Sequence, residues 1–157
     1  MKEIQLTQGK FAIVDDEDFE WLSKYRWFCN KPRNVIFRHT PRNHYKRKDI
    51  IMSREILNFP KGLQVDHING NRFDNRRSNL RICNHAQNNQ NKRIQLNNTS
   101  GYKGVSWSKH AKKWLVRIKS DKKQKYLGYF KNKKEAALVY NQAAIKYHKE
   151  FAFLNQI

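Results

Sequence analysis

Apolar and polar positions alternate from Ile4 to Val14 (IQLTQGKFAIV) and break at Gln8-Gly9, which predicts a β-hairpin turning there. A helix follows over DDEDFEWLSKY. Asp15 is placed to cap it, and its carboxylates crowd the first turn, where the helix dipole favours them. Alternation returns in RWFCN and NVIFRH, suggesting strands around a Lys31-Pro32-Arg33 turn. The apolar-rich run Ile50 to Phe59 predicts a short helix stopped before Pro60. Leu63, Val65 and Ile68 fit a strand carrying Asp66 and His67, turned at Asn69-Gly70. A polar loop from Asp74 to Ser78 leads to a second strand through Leu80 and Ile82, and then to a helix over His85 to Asn91. RIQLNNTS, residues 93–100, is polar and poor in helix formers and reads as a linker. Three strands follow, Tyr102 to Ser108, Lys113 to Ser120 and Lys125 to Phe130, with a turn at Ser120-Asp121. In Lys134 to His148, Ala136, Val139, Tyr140, Ala143, Ala144 and Tyr147 recur at helical steps. The expected class is α+β. Its parts are a small α/β platform over 1–60, a β-β-α segment over 61–92, a linker over 93–100 and a C-terminal domain over 101–157.

Charge changes the picture most. The 157 residues carry 33 Lys and Arg against 13 Asp and Glu, a net +20. Five of the acids fall between Asp15 and Glu20. From Trp21 onward, 31 bases face seven acids. Such a field attracts polyanions, and nucleic acid is the commonest stiff one. The platform contributes Arg38, Arg42, Lys46, Arg47 and Lys48. No long apolar run, lipidation signal or secretory leader is read, so a membrane partner is not expected. Cys29 and Cys83 form no CxxC pair. They exclude a cysteine zinc cluster by count and read as reduced, buried thiols of a cytoplasmic protein.

The candidate chemistry lies in VDHINGNRFDNRRSNLRICNHAQNNQNK, residues 65–92. Asp66-His67 is followed by Asn79 and then by Asn88. Separately, an Asp-His pair, an Asn-Gly turn and an Asn-rich helix end are commonplace. Together they supply a carboxylate, an imidazole and two amides in an order suited to cutting a phosphodiester bond. Here the chain resembles the HNH nucleases, in the Asp-His…Asn…Asn version found in phage and intron-encoded homing endonucleases. The resemblance implies the ββα-metal arrangement for this segment. A neutral His67 would deprotonate water, a role typically worth ~10²–10⁴ in rate. Asn79 would accept a hydrogen bond from the second ring nitrogen and fix the tautomer. Asp66 and Asn88 would hold Mg²⁺, or Mn²⁺, at the scissile phosphate. His85, three residues before Asn88 on the same helix, is the alternative ligand. With one charged ligand, the ion should bind weakly until DNA completes its shell. Nearby cations should keep the His67 pKa low. Arg76, Arg77 and Arg81 are candidates for holding phosphate. Arg54 resembles a family position that often follows a His, though Ser53 precedes it here. His39, His44, His110 and His148 read as surface or sheet residues.

The C-terminal domain resembles the AP2-type DNA-binding domain. The pieces that carry this are Tyr102-Lys103-Gly104-Val105, Trp114 through Ile118, Leu127-Gly128-Tyr129-Phe130 and Glu135-Ala136-Ala137…Tyr140-Asn141…Ala143-Ala144. Alternation puts Trp114, Val116 and Ile118 on one face of the second strand, and Leu115, Arg117 and Lys119 on the other. By resemblance, Lys103, Ser106, Arg117, Lys119, Gln124 and Tyr126 fall at or near DNA-contact positions. Trp107, Tyr129 and Phe130 read as packing. Many phage homing nucleases join an HNH segment to this domain in this order. The expected function is therefore a monomeric, divalent-metal-dependent endonuclease on double-stranded DNA. It would need no small-molecule cofactor and would act in a bacterial or phage-infected cell, with one active site that suits nicking. The alternatives are a DNA-binding regulator with a structural HNH segment and, more distantly, an RNA-binding protein.

Overall fold

The computed structural model of the protein describes residues 1–31, 33–41, 47–58 and 61–157. Contacts divide the chain into two units, Met1–His85 and Ala86–Ile157.

The first unit opens with the expected hairpin of β1 (Lys2–Gln5) and β2 (Phe11–Val14), closed by Gln8 and Gly9 at positive φ. Helix α1 spans Asp16–Leu22. Asp15 occupies its N-cap position, but its side chain makes no cap bond. Its Oδ2 instead accepts from the Arg77 backbone N–H at 2.7 Å, a correction to the capping expectation. Strands β3 (Phe28–Asn30), β4 (Val35–His39) and β5 (Asp49–Ile51) form a sheet in the order β3-β4-β5. The third strand was not expected: Ile50 and Ile51 pair with Arg38 and Phe37 instead of starting a helix. Helix α2 is confined to Met52–Ile56. Pro32, Arg42, His44, Lys46, Phe59 and Pro60, which figured in the sequence reading, lie outside the described residues.

Strands β6 (Gln64–His67) and β7 (Leu80–Cys83) pair antiparallel, with Asp66 opposite Arg81 and His67 opposite Leu80. Leu80 packs into one core with Ile4, Leu6, Val14, Leu22, Trp27, Ile36, Met52 and Ile56. Trp27 is 1% exposed, and its indole N–H donates to the Leu22 carbonyl at 2.8 Å. The hairpin and the N-terminal residues thus share one interior.

The second unit follows from α3 (His85–Asn91), the helix at the division between units. It contains β8 (Val105–Ser108), β9 (Lys113–Ser120), β10 (Lys123–Phe130) and α4 (Lys133–His148). The sheet order is β10-β9-β8. Val105, Val116 and Ile118 meet Ala136, Ala137, Tyr140, Ala143 and Ala144, so α4 covers the face the alternation assigned to it. Asn132 caps α4, its Oδ1 accepting from the N–H groups of Lys134 and Glu135. Residues 98–100 of the expected linker are built in: Ser100 is 2% exposed and its hydroxyl donates to the Tyr102 carbonyl. Asn155 pins the C-terminal segment, accepting from Lys103 N–H at 2.7 Å while its own N–H donates to Asn141 Oδ1.

Gly104 has φ +76°. A Cβ there would fall 2.1 Å and 2.2 Å from the Tyr140 ring carbons Cδ2 and Cε2 and 2.7 Å from the Arg117 carbonyl. Gly104→Ala should lower unfolding free energy by about 1–3 kcal/mol, the usual range for overpacking a tight core. Urea unfolding followed by tryptophan fluorescence checks it.

His148 is 5% exposed at the end of α4, not a surface or sheet residue. Its Nε2 lies 2.9 Å from the Lys119 carbonyl, so it carries the proton, and Nδ1 is buried without a hydrogen-bond partner. Burial holds the imidazole below its ordinary pKa, against the Lys119 carbonyl and Asp121, which favour the cation, and with Lys103, which opposes it. The folded state therefore binds the proton less readily than the unfolded chain. Stability should be full above the ordinary histidine pKa of about 6.5 and fall as pH drops below it. Urea midpoints at pH 7.5 and 5.5 should differ, and His148→Gln should narrow the difference.

Candidate active site

The β6–β7 connection is a short polar loop that folds back on itself. Gly70 adopts φ +69°, its N–H donating to the His67 carbonyl at 2.8 Å, while Asn69 Oδ1 accepts from the Asn71 N–H in an Asx turn. The far side of the loop docks on β2: Ile13 N–H donates to the Phe73 carbonyl, and Asn75 N–H to the Ile13 carbonyl, each at 2.8 Å. Asp74, 3% exposed, accepts both Nε and Nη2 of Arg76 at 2.7 Å and Nδ2 of Asn69 at 2.9 Å. The Arg76 guanidinium is the main reason the Asp74 carboxyl titrates below its ordinary value.

This loop delivers Asn75 to His67. Asn75 Oδ1 lies 3.2 Å from His67 Nε2. Asn75 Nδ2 donates to the Arg72 carbonyl at 3.1 Å, which fixes which end of the amide faces the ring. An oxygen against Nε2 means that Nε2 holds the proton and Nδ1 the lone pair. The partner expected from the sequence, Asn79, is turned elsewhere. Its Oδ1 accepts from the Asn69 N–H at 3.0 Å, and its Nδ2 donates to the Asp74 carbonyl at 2.7 Å. Asn79 therefore braces the loop, and Asn75 orients the ring. The His67 pKa is lowered, as expected, but chiefly by burial; Arg72 adds to it, while Asn75, Asp66 and Asp74 oppose it. A half-buried imidazole with a lowered pKa and a fixed tautomer can accept a proton at Nδ1.

Asp66, next in the strand, is 6% exposed. Its Oδ2 accepts from Arg81 Nε at 2.9 Å and Nη2 at 2.7 Å across the hairpin. A carboxylate is the hard donor a divalent ion requires, so the residue type fits. The adjacent guanidinium already offsets its charge, which argues for weak ion binding. Asn88 and His85 both lie on α3, three residues apart; Asn88 is half-buried and His85 exposed. Among the described residues, the group of three carboxylates close enough to share an ion is Asp15, Glu17 and Asp18. Arg77 covers it, with Nε 2.9 Å from both Asp18 Oδ2 and Glu17 Oε1 and Nη2 2.8 Å from Asp18 Oδ1.

Three arginines expected at phosphate thus serve inside the fold: Arg76 on Asp74, Arg77 on α1 and Arg81 on Asp66. The sequence reading gave them to DNA because Asp18 is distant in sequence, Asp66 was assigned to the ion, and the folding-back of Arg76 onto Asp74 within the loop carries no sequence signal. Arg54 is exposed on α2. In the second unit, Lys103 is also corrected. Its ammonium donates to the carbonyls of Gln90 and Lys92 at 2.6 Å each, tying down the end of α3. Burial, reinforced by Lys92, pushes its pKa down to about 8.

The other five C-terminal candidates share the sheet face away from α4. Ser106 and Leu115, Arg117 and Tyr126, and Lys119 and Gln124 are paired across the sheet. Arg117 Nη2 donates to Ser106 Oγ at 3.4 Å. A bulge at Leu127 turns that residue into the core and keeps Tyr129, 53% exposed, opposite Leu115 on the same open face. The sequence reading put Tyr129 in the packing; the signal was Gly128, whose φ of +122° marks a strand irregularity. Phe130 does pack inward. Trp107 crosses Trp114 edge-on at 5.0 Å and is 48% exposed.

The hairpin is also where the chain resembles known proteins. Residues 58–90 match the family model of HNH endonucleases. Over 152 residues the chain is 28% identical to an uncharacterized HNH endonuclease of Acanthamoeba polyphaga mimivirus, covering 96% of this chain and 77% of that protein. Over 65 residues it is 40% identical to Protein 3.8 of Escherichia phage T7, covering 41% of this chain and 54% of that protein. The chain thus spans about half the length of the phage protein it matches. The hairpin and the start of α3 are thus similar to HNH endonucleases, and most of the chain is similar, at lower identity, to a viral protein of that name. HNH nucleases generally use divalent metal ions.

If Asp66 holds an ion, its cationic neighbour should weaken that binding. Arg81→Gln should tighten Mn²⁺ binding about tenfold, as expected for removing one like charge a few ångströms away in a partly screened site. Electron paramagnetic resonance titration of free Mn²⁺ measures it. Unchanged affinity in a folded variant would remove Asp66 from the metal site.

Proposed function

We propose that the protein is a metal-dependent HNH endonuclease of the homing type that hydrolyses phosphodiester bonds in double-stranded DNA. The observation that carries this reading is the His67 imidazole, half-buried and with its pKa held down, its Nε2 facing Asn75 Oδ1 and Asp66 beside it in the strand. His67 Nδ1 takes the proton from the attacking water. Asn75 holds the ring and stabilises the imidazolium that forms. Asp66 is one ligand for Mg²⁺ or Mn²⁺, and Asn88 is the second that the resemblance implies, with His85 the alternative. Such an ion, when bound, offsets phosphate charge and stabilises the departing 3′ oxygen.

The open face of the C-terminal sheet supports a DNA-reading role of the AP2-like kind. Ser106, Arg117, Lys119, Gln124 and Tyr126 stand on it together, and arginine and lysine can pair with guanine O6 and N7. Tyr129 joins them. A single active-site set in a monomer suits cutting one strand at a time, in the cytoplasm of a bacterial or phage-infected cell.

The ion pair of Arg81 with Asp66 favours a second reading, a DNA-binding regulator whose HNH segment is only structural. Incubation of supercoiled plasmid with the protein and Mg²⁺ separates the two. Wild type should nick it, and chelation should abolish nicking. His67→Ala should slow it by ~10²–10⁴, and Asn75→Ala by roughly 10–100-fold, as for a residue that aims a catalytic group. Equal nicking by wild type and His67→Ala would leave the regulator.

A further inference from the structure

A hollow of about 370 Å³ opens on the β3–β4 side of the first unit. Its lining includes Tyr25, Arg26, Phe28, Arg38, His39 and Arg47. The volume is within the range that accepts a small ligand. The composition of the wall is unusual for a basic surface, because aromatic rings and guanidinium planes are layered on one another. Arg38 lies 4.0 Å over the Tyr25 ring, and Arg26 lies 5.6 Å over Phe28. Phe28 in turn stacks on Phe37 at 5.8 Å and meets His39 at 5.0 Å.

The cations of this wall divide into two kinds. Arg38 is neutralised and held rigid by Glu55, which accepts from both its Nε and its Nη2, and His39 is paired with Asp49 at 2.9 Å. These two are structural. Arg26 and Arg47 are exposed and make no ion pair among the described residues. The hollow therefore offers two uncompensated positive charges beside a rigid aromatic platform. Tyr25, braced by Arg38 and set edge-on to Trp27 at 6.5 Å, remains 43% exposed. A ligand matched to that wall is planar, polarizable and anionic. A nucleotide has those properties, but in a duplex its base faces are covered by neighbouring bases.

We propose that this hollow binds an unpaired nucleotide of a DNA strand, its base against Tyr25 and its phosphates on Arg26 and Arg47. Base stacking on an aromatic side chain tolerates any sequence, whereas the arginines set only the position of the backbone. The site would hold a frayed or displaced strand near a cut, or a strand end after it. This assignment rests on the reading that the protein acts on DNA.

The test compares two probes of equal charge in chelator, so that nothing is cut. One is labelled pentathymidylate; the other is a pentamer of the same backbone with every base removed. Fluorescence anisotropy with the full chain should show about tenfold tighter binding of the base-bearing strand, the scale expected for one well-stacked base. Tyr25→Leu should erase most of that preference, while Arg26→Gln and Arg47→Gln should weaken both probes alike. No preference in wild type would reduce the hollow to a phosphate contact and overturn the proposal, and so would a preference that survives Tyr25→Leu. Circular dichroism checks the fold of Tyr25→Leu. If it is disturbed, Tyr25→Phe decides, because it must keep the preference and its loss would also overturn the proposal. Plasmid nicking reads the nuclease function separately. Intact preference without nicking sinks that function alone, and nicking without preference sinks the hollow alone.

Discussion

Two backbone hydrogen bonds between Ile13 and the loop at Phe73 and Asn75 hold the candidate site in register. They join a strand near the start of the chain to a loop 60 residues later, as a parallel bridge of one residue pair. Without that bridge, Asn75 would lie on a polar loop with many ways to fold. With it, the Asn75 amide faces the imidazole and the Asn79 amide closes the loop behind. The first 60 residues therefore act as more than a basic platform: their hairpin is a wall of the site. Leu80 makes the same connection through the interior, in one core cluster with Ile4 and Trp27.

The arginines around the hairpin make a second layer of this frame. In sequence they are a run of positive charge, and a run of positive charge in a basic protein suggests phosphate. In the fold each meets a carboxylate with low exposure: Asp74, Asp18 or Asp66. A buried carboxylate needs a partner, and leaving it unpaired costs more than an exposed arginine gains from solvent. The acid-rich stretch at Asp15 to Glu20 is thus explained as the receptor for Arg77, which ties α1 to the turn before β7.

Much of this was legible from residues alone. Period-two alternation located most strands, and the helical spacing of Ala136, Tyr140 and Ala144 located α4. The Asp-His pair with its Asn-Gly turn marked the hairpin and its two chemical groups. What remained hidden depended on contacts between distant segments. Asn75 and Asn79 are both asparagines near the same loop, and only the docking on β2 distinguishes the one that faces the ring. Lys103 carries the same charge as Lys119, but its position before a left-handed glycine turns it under the segment at Gln90. β5 was missed because Ile50 and Ile51 are apolar in either a strand or a helix. The cause of the His67 shift was misjudged for a related reason, since cations can be counted in a sequence and burial cannot.

The extra residue at Leu127 has a geometric result of its own. A regular strand shows every second side chain on one side, so phenolic rings three apart would look in opposite directions. By slipping one position, β10 changes its facing midway and presents Tyr126 and Tyr129 together. The sheet gains a broader aromatic border without a longer strand. If Leu127 instead took a regular place in the ladder, everything beyond it would invert, turning Phe130 outward to water and Tyr129 toward the covering helix.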